Sequence, residues 1–122
     1  MILADTSIWV DHLRSGLPSL AERLGEGGVL IHPWVIGELA CGNLRDRSRL
    51  LQLLQGLPRA PLATDDEVML LIERHRLMGR GIGWIDAHLL ASTLLASARL
   101  WSGDRRLSTI AAELGAAATG LD

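Results

Sequence analysis

The sequence predicts an α/β fold in which a mostly parallel sheet is covered by helices. Short apolar runs alternate along the chain with segments of helical periodicity, and capping residues and glycines separate the two kinds of segment. This alternation is typical of βαβ units, whose strands are buried on both faces. With 122 residues, 48% of them apolar, the chain is long enough for one well-buried domain, which we assign to residues 1–122.

The first half of the chain contains two strand candidates and the helices that follow them. The strand candidates are the apolar runs Ile2–Ala4 and Val29–Ile31. Asp5 can cap the helix after the first strand, and Pro18 suits the first turn of the next helix. The helices of this half are predicted over 8–13, from 18 to a stop at Gly25, and over 33–41.

The second half is predicted to be mainly helical. Asp46 and Thr64 are candidate caps for two helices, one with a leucine stripe that ends before Gly56 and one that reaches Met78. A glycine loop over 79–83 precedes a segment over 85–98 that is apolar nearly all round, which predicts a deeply buried helix. A strand at 100–101, a helix over 107–114 and weak edge strands at 58–62 and 116–119 complete the prediction.

Composition excludes several classes of protein. The single cysteine, Cys41, rules out an internal disulfide framework, and no apolar run approaches the ~20 residues of a membrane span. The N-terminus lacks the basic region of a signal peptide, so we expect a cytoplasmic protein without a membrane role. A net charge of −2 argues against a protein that binds nucleic acid mainly through a broad basic surface.

Four acidic residues stand out by their positions. Asp5 and Asp104 each follow a predicted strand, and the carboxyl ends of parallel strands form the ligand-binding edge of such a sheet. Glu38 lies in the helix after the second strand and can reach the same edge. Asp86 begins a helix that precedes a strand, so spacing alone does not bring it there. Taken singly, Asp5 and Asp104 could be ordinary helix caps and Glu38 a solvated charge.

A cluster of these carboxylates would need a counter-charge. Two carboxylates ~5 Å apart repel by about 3 kcal/mol at an effective dielectric of 20. The chain has no lysine and its twelve basic residues are all arginine, so a hard divalent cation is the natural partner. Oxygen ligands favour Mg²⁺ or Mn²⁺ over Zn²⁺. Such a site supports phosphodiester hydrolysis because it activates a water and offsets charge on phosphate.

The chain resembles the PIN-domain family, and within it the VapC-like toxins of type II toxin–antitoxin systems. The resemblance is carried in order by Ile-Leu-Ala-Asp5-Thr6-Ser7, Glu38-Leu39, Ile85-Asp86-Ala87-His88 and Trp101-Ser102-Gly103-Asp104. It implies a three-layer α/β/α sandwich with a five-stranded sheet, and it brings Asp86 into the acidic pocket. It also implies a metal-dependent endoribonuclease, a homodimer and an antitoxin that covers the site.

The resemblance assigns roles residue by residue. Asp5, Glu38, Asp86 and Asp104 match the family's metal-binding acids, and Thr6 and Ser102 match the hydroxyl residues that support them. Near the expected rim, four arginines are candidates for RNA phosphate contacts: Arg14, Arg80, Arg105 and Arg106.

Other functions remain as alternatives or are excluded. A receiver-type phosphotransfer switch and a P-loop nucleotidase both use a lysine, which the chain lacks. A zinc site would need more soft ligands than Cys41 and the histidines supply, and we expect His88 to be packed in the core. A catalytically silent binding module that keeps the pocket is the stronger alternative, and the receiver-type switch is the weaker one.

Overall fold

The fold is built on a short parallel sheet that is covered by helices, as the sequence predicted. The computed structural model describes residues 1–120; residues 121 and 122, which belong to the predicted domain 1–122, lie outside the described residues. The strands are β1 (Ile2–Ala4), β2 (Val29–Leu30) and β3 (Arg99–Trp101), in the spatial order β2-β1-β3. All pairings are parallel, with Leu3 opposite both Leu30 and Leu100. The central strand β1 is therefore covered on both edges and both faces.

One isolated bridge lies at each outer edge of this sheet. Ile31 pairs in parallel with Arg59, and Leu100 pairs in parallel with Ala117. The Ile31 N–H donates to the Pro58 carbonyl at 2.8 Å, but prolines at 58 and 61 have no N–H to extend a ladder. The parallel α/β architecture is thus confirmed, whereas the described residues contain three strands and two bridges in place of five full strands.

The first four helices are α1 (Thr6–Ser15), α2 (Pro18–Gly25), α3 (Pro33–Ala40) and α4 (Arg47–Gln55). Asp5 caps α1 as predicted, since its side chain accepts from the Ile8 N–H. Asp46 stands at the N-cap position of α4, but the prediction that it caps this helix is wrong. Its backbone is left-handed, with φ of 48°, and its side chain accepts no capping hydrogen bond.

The last three helices are α5 (Asp65–His75), α6 (Trp84–Leu95) and α7 (Arg105–Glu113). Thr64 and Glu67 form a complete capping box at the start of α5. The middle of α6 is buried from Ala87 to Thr93, but Leu95 in its last turn is 51% exposed, so the prediction of burial throughout is wrong for this end. Within residues 1–120, every helix is too short or too polar to cross a membrane.

The hydrophobic core joins the sheet to both helical layers. Leu3 at the centre of β1 is fully buried, and leucines and isoleucines from most helices pack around the strands. The polar groups that follow β1 and β3 gather at the carboxyl edge of the sheet. This edge, together with the starts of α1 and α7, positions the candidate site.

Candidate active site

Asp5 is the most buried of the predicted site residues, at 6% exposure. It follows β1 directly, and one carboxylate oxygen, Oδ1, accepts from the Ile8 N–H at 3.2 Å and from the Ser7 hydroxyl at 2.5 Å. The other oxygen, Oδ2, accepts from the Ser102 hydroxyl. Three donors from two different strand ends therefore fix the orientation of this carboxylate.

Asp104 occupies the equivalent position after β3. Its Oδ1 accepts from the N–H groups of Arg106 at 2.8 Å and Leu107 at 3.2 Å, so it caps α7. Its own N–H donates to the Ser102 hydroxyl at 2.9 Å. Ser102 thus links Asp5 to Asp104, because one hydroxyl donates to the first residue and accepts from the second. Capping uses only Oδ1, so it does not compete with a role for the second oxygen in the site.

Glu38 reaches the same edge from α3. The Thr6 hydroxyl donates to Glu38 Oε1 at 2.7 Å, which joins the start of α1 to α3. The Glu38 side chain is exposed, unlike that of Asp5. Among the hydroxyl residues predicted to support the acids, Thr6 therefore contacts Glu38 and Ser102 contacts Asp5.

Asp86 lies in the first turn of α6, half-buried, with one hydrogen bond to its carboxylate. The Gly83 N–H donates to Asp86 Oδ2 at 3.2 Å, which favours the charged form. Burial nevertheless raises the pKa of Asp86, and the negative charges of the three other predicted acids, Asp5, Asp104 and Glu38, raise it further. The structure thus brings all four predicted acids into one electrostatic environment, which sequence spacing could not do for Asp86.

The four acids are not arranged as a complete set of metal ligands in this structure. Within residues 1–120, no group of three His, Cys, Asp or Glu side chains is arranged so that it could hold a metal ion. Oxygens of Asp5, Asp104 and Glu38 are used instead by the hydroxyl and backbone donors described above. The donor set still has the chemistry that Mg²⁺ prefers, since every candidate ligand is a carboxylate. The other three acids repel the negative charge of Asp86, and a bound dication would relieve this repulsion.

Ser7 and Gly103 belong to the site but were not among the predicted residues. The Gly103 N–H donates to the Ser7 hydroxyl at 2.9 Å, and that hydroxyl donates to Asp5. A Cβ atom on Gly103 would lie 3.2 Å from the Ser7 Oγ, so a larger residue would press on this hydroxyl. The signal in the sequence was a serine two residues after a strand-end aspartate, the spacing of a local side-chain hydrogen bond.

The arginines predicted to contact RNA have different surroundings. Arg80 forms a two-bond ion pair with Glu113, at 2.6 and 2.9 Å, so its guanidinium already has a partner. Arg106 packs against the backbone of Gly81, where an added Cβ would lie 2.5 Å from its side chain. Arg14 and Arg105 are exposed. RNA contact by these residues stays a prediction.

The histidines of this region pack against tryptophan rings and are not part of the group of four site acids. His88 lies between two indole rings, with ring centroids 4.2 Å from Trp34 and 4.6 Å from Trp84. His32 is buried beside Trp34, and burial, followed by the charge of His88, lowers the pKa of His32 to about 4. His32 is therefore neutral at neutral pH.

Comparison with known proteins identifies the family to which this fold and its acidic edge belong. The family model described as the PIN domain matches residues 2–113, and the chain belongs to this family. Within it, the chain is similar to the protein named Ribonuclease VapC32 from Mycobacterium tuberculosis, in the strains CDC 1551 / Oshkosh and ATCC 25618 / H37Rv. Each relative is 48% identical over 118 residues, which cover 96% of this chain and 95% of the relative.

Proposed function

We propose that this protein is a metal-dependent endoribonuclease that hydrolyses RNA phosphodiester bonds and acts as the toxin of a toxin–antitoxin pair. The observation that carries the proposal is the gathering of carboxylates from separate parts of the fold: the Ser102 hydroxyl joins Asp5 to Asp104, and the charges of Asp5, Asp104 and Glu38 raise the pKa of Asp86. Such clustering is unfavourable for stability and is typical of functional sites. The names of the two relatives support ribonuclease as the activity of this site.

Four carboxylates would bind the metal, for which we propose Mg²⁺, with Mn²⁺ as an alternative: Asp5, Glu38, Asp86 and Asp104. When bound, the cation supplies a water of lowered pKa and neutralises charge on the phosphate. The protein's part is to orient these acids. The Ser7 and Ser102 hydroxyls hold the Asp5 carboxylate in place, and the Thr6 hydroxyl orients Glu38. Fixed orientation of the groups around a cation is what tunes its affinity.

The remaining parts of the proposal concern partners and assembly. A cognate antitoxin that covers the acidic edge and a homodimer follow from the VapC resemblance. The single domain over 1–122 and the cytoplasmic location are proposed from length and composition. The two isolated bridges at Arg59 and Ala117 support five strand positions in the sheet. An apolar groove between α5 and α6, of about 270 Å³, supports a dimer face because exposed leucines line it: Leu70, Leu94 and Leu95.

The decisive experiment is RNA cleavage by the purified protein with Mg²⁺ or Mn²⁺ and with excess EDTA. We expect cleavage only with metal, and we expect Asp5→Asn to reduce it by more than about 100-fold, beyond the usual effect of changing a residue that only supports a ligand. The melting temperature of Asp5→Asn should stay close to that of the wild type, because asparagine is also a good N-cap and its amide can donate to the Ser102 hydroxyl in place of the bond that Oδ2 accepts.

The outcomes separate the proposal from its alternative. Full cleavage by Asp5→Asn, or in EDTA, would contradict the proposed site. Mn²⁺ binding measured by calorimetry without cleavage of any RNA would support the catalytically silent binding module instead.

A further inference from the structure

We infer that the groove between α1 and the α3–α4 connection binds single-stranded RNA on one side of the cleaved phosphate. This inference rests on the proposed ribonuclease function and adds to it the path of the substrate. The groove has a volume of about 590 Å³. Its lining includes two members of the candidate site, two apolar side chains of α1 and two arginines: Thr6, Glu38, Val10, Leu13, Arg14 and Arg45.

The groove is continuous with the candidate site. Glu38 belongs to the acid group, and Thr6, which follows Asp5 in the chain, donates a hydrogen bond to it at 2.7 Å. Both residues line the groove. A polymer that lies in the groove therefore reaches the acids, as the substrate of an endonuclease must.

Two arginines give the groove a positive charge. Arg14 is exposed near the end of α1, and Arg45 is exposed in the segment between α3 and α4. Neither guanidinium has a hydrogen bond or an ion pair with the rest of residues 1–120, in contrast to Arg80. The segment that carries Arg45 is itself anchored, because the Arg47 guanidinium donates to the Ala40 carbonyl at 3.0 Å. Free guanidinium groups on an anchored wall suit the phosphates of a bound strand.

The wall of the groove suits nucleobases. Val10 and Leu13 are three residues apart on α1, so they share one face of the helix, and they are 38% and 39% exposed. Base faces are apolar enough to pack on such side chains, and single strands can present their bases in this way. With a dication at the acids, both the metal and the arginines would attract phosphate. RNA has phosphates at regular intervals, whereas a peptide would need acidic groups at both places.

The test measures RNA binding as a function of salt, apart from cleavage. A short labelled single-stranded RNA is titrated with the Asp5→Asn protein, and fluorescence anisotropy gives Kd at several salt concentrations. The groove variant Arg14→Gln/Arg45→Gln is compared with Arg23→Gln/Arg76→Gln, which removes the same charge at two exposed positions outside the groove. Circular dichroism confirms that both variants are folded.

We expect only the groove variant to change the salt dependence. Each phosphate contact to a single strand contributes ~0.7 to the slope of log K against log salt, so two lost contacts reduce the slope by about 1.4. At ~0.1 M salt this corresponds to about 25-fold weaker binding. Equal slopes for the two variants would overturn the inference and favour a peptide ligand for the groove. Equal slopes together with metal-dependent cleavage by the wild type would leave the proposed function intact, whereas absence of that cleavage would contradict the function itself.

Discussion

The carboxyl edge of the sheet and the start of α6 both present acids to the candidate site, but they hold them in different ways. At the sheet edge, Asp5 accepts three hydrogen bonds, and the Ser102 hydroxyl connects it to Asp104. At the start of α6, the Asp86 carboxylate accepts one bond, from the Gly83 N–H of a glycine-rich loop. The first region is a network of side chains from distant segments, and the second is a local helix-capping contact.

The difference shows which part of the site depends on a counter-charge. The three donors around Asp5 set the orientation of its carboxylate whether or not a cation is bound. Asp86 has little such support, and burial and three neighbouring acids raise its pKa. We therefore expect the sheet edge to act as the fixed part of the site and Asp86 as the part that responds most to metal and pH.

The largest effect is expected for Asp86→Asn. It should reduce RNA cleavage by more than about 100-fold, because the change removes a proposed metal ligand and not merely a supporting group. In EDTA at neutral pH the variant should melt at a higher temperature than the wild type, since it removes a half-buried charge that three acids repel. Asparagine can still accept the bond from Gly83.

The pH dependence of this difference follows from the direction of the pKa shift. The folded pKa of Asp86 is raised above 3.8, so its contribution to stability is complete below that pH and is lost as pH rises through the folded pKa. The melting temperatures of variant and wild type should therefore converge as pH falls towards 4. Mg²⁺ should raise the melting temperature of the wild type more than that of Asp86→Asn. A variant that is less stable than the wild type in EDTA at pH 7 would contradict this account of the α6 region.

A smaller effect is expected for Ser102→Ala, which tests the network at the sheet edge. The change removes one donor from the buried Asp5 carboxylate and the acceptor of the Asp104 N–H. Loss of hydrogen bonds to groups of this kind costs about 1–3 kcal/mol of unfolding free energy, and chemical denaturation would measure it.

Thr109→Ala on α7 is the matched control for Ser102→Ala. The Thr109 hydroxyl also makes a hydrogen bond, to the Arg105 carbonyl, but it lies on the exposed surface away from the acids. Its removal should change the unfolding free energy by less than about 0.5 kcal/mol. If the two variants proved equally stable, the network at the sheet edge would not be the fixed part of the site.

The smallest effect is expected for Glu113→Gln, which breaks the ion pair that ties the loop before α6 to α7. The Arg80 side chain is 33% exposed and that of Glu113 51%, and ion pairs at the surface contribute little to stability. The hydrogen bond from Arg80 lowers the pKa of Glu113, so what stability the pair provides is present above pH 4.5 and is lost as pH falls through the lowered pKa.

Calorimetry with Mn²⁺ would show whether this pair matters to the site. We expect the metal affinity of Glu113→Gln to stay within about threefold of the wild type, well below the effect of removing a group that supports a ligand. The double variant Arg80→Gln/Glu113→Gln is the control for the unpaired arginine. A loss of affinity as large as that of Ser102→Ala would mean that the loop, and not the Gly83 contact alone, positions Asp86.

Most of the fold was predictable because its signals are local. The apolar runs around Leu3 and Leu100 became strands, and Thr64 with Glu67 formed the predicted capping box. The failures were equally local in origin. Aspartate often caps helices, but Asp46 has a left-handed backbone and makes no capping bond. Leucine is usually buried, but Leu95 lies in the exposed last turn of α6. The type of a side chain alone therefore does not determine whether an aspartate caps a helix or whether a leucine is buried.

Part of the candidate site could likewise be predicted from local sequence, and the rest depends on contacts between residues that are distant in the chain. Asp5 and Asp104 could be placed at one edge because each follows a parallel strand. The contact between Thr6 and Glu38 joins residues 32 positions apart, and the link from Ser102 to Asp5 joins residues 97 positions apart. The resemblance named Thr6 and Ser102 as supporting residues, but nothing in the neighbouring sequence indicates which acid each of them contacts.

The sequence by itself determined the alternation of strands and helices, the caps of α1 and α5, and the positions of two acids after parallel strands. These properties depend on residues within a few positions of one another, where backbone preference and hydrophobic period act directly. Only the tertiary structure decided that Asp86 shares its electrostatic environment with Asp5, Glu38 and Asp104, and that one serine hydroxyl joins two of the acids. The physical reason is that charges and hydrogen bonds act through space, and the packing of the helices against the sheet determines which distant groups lie within their range.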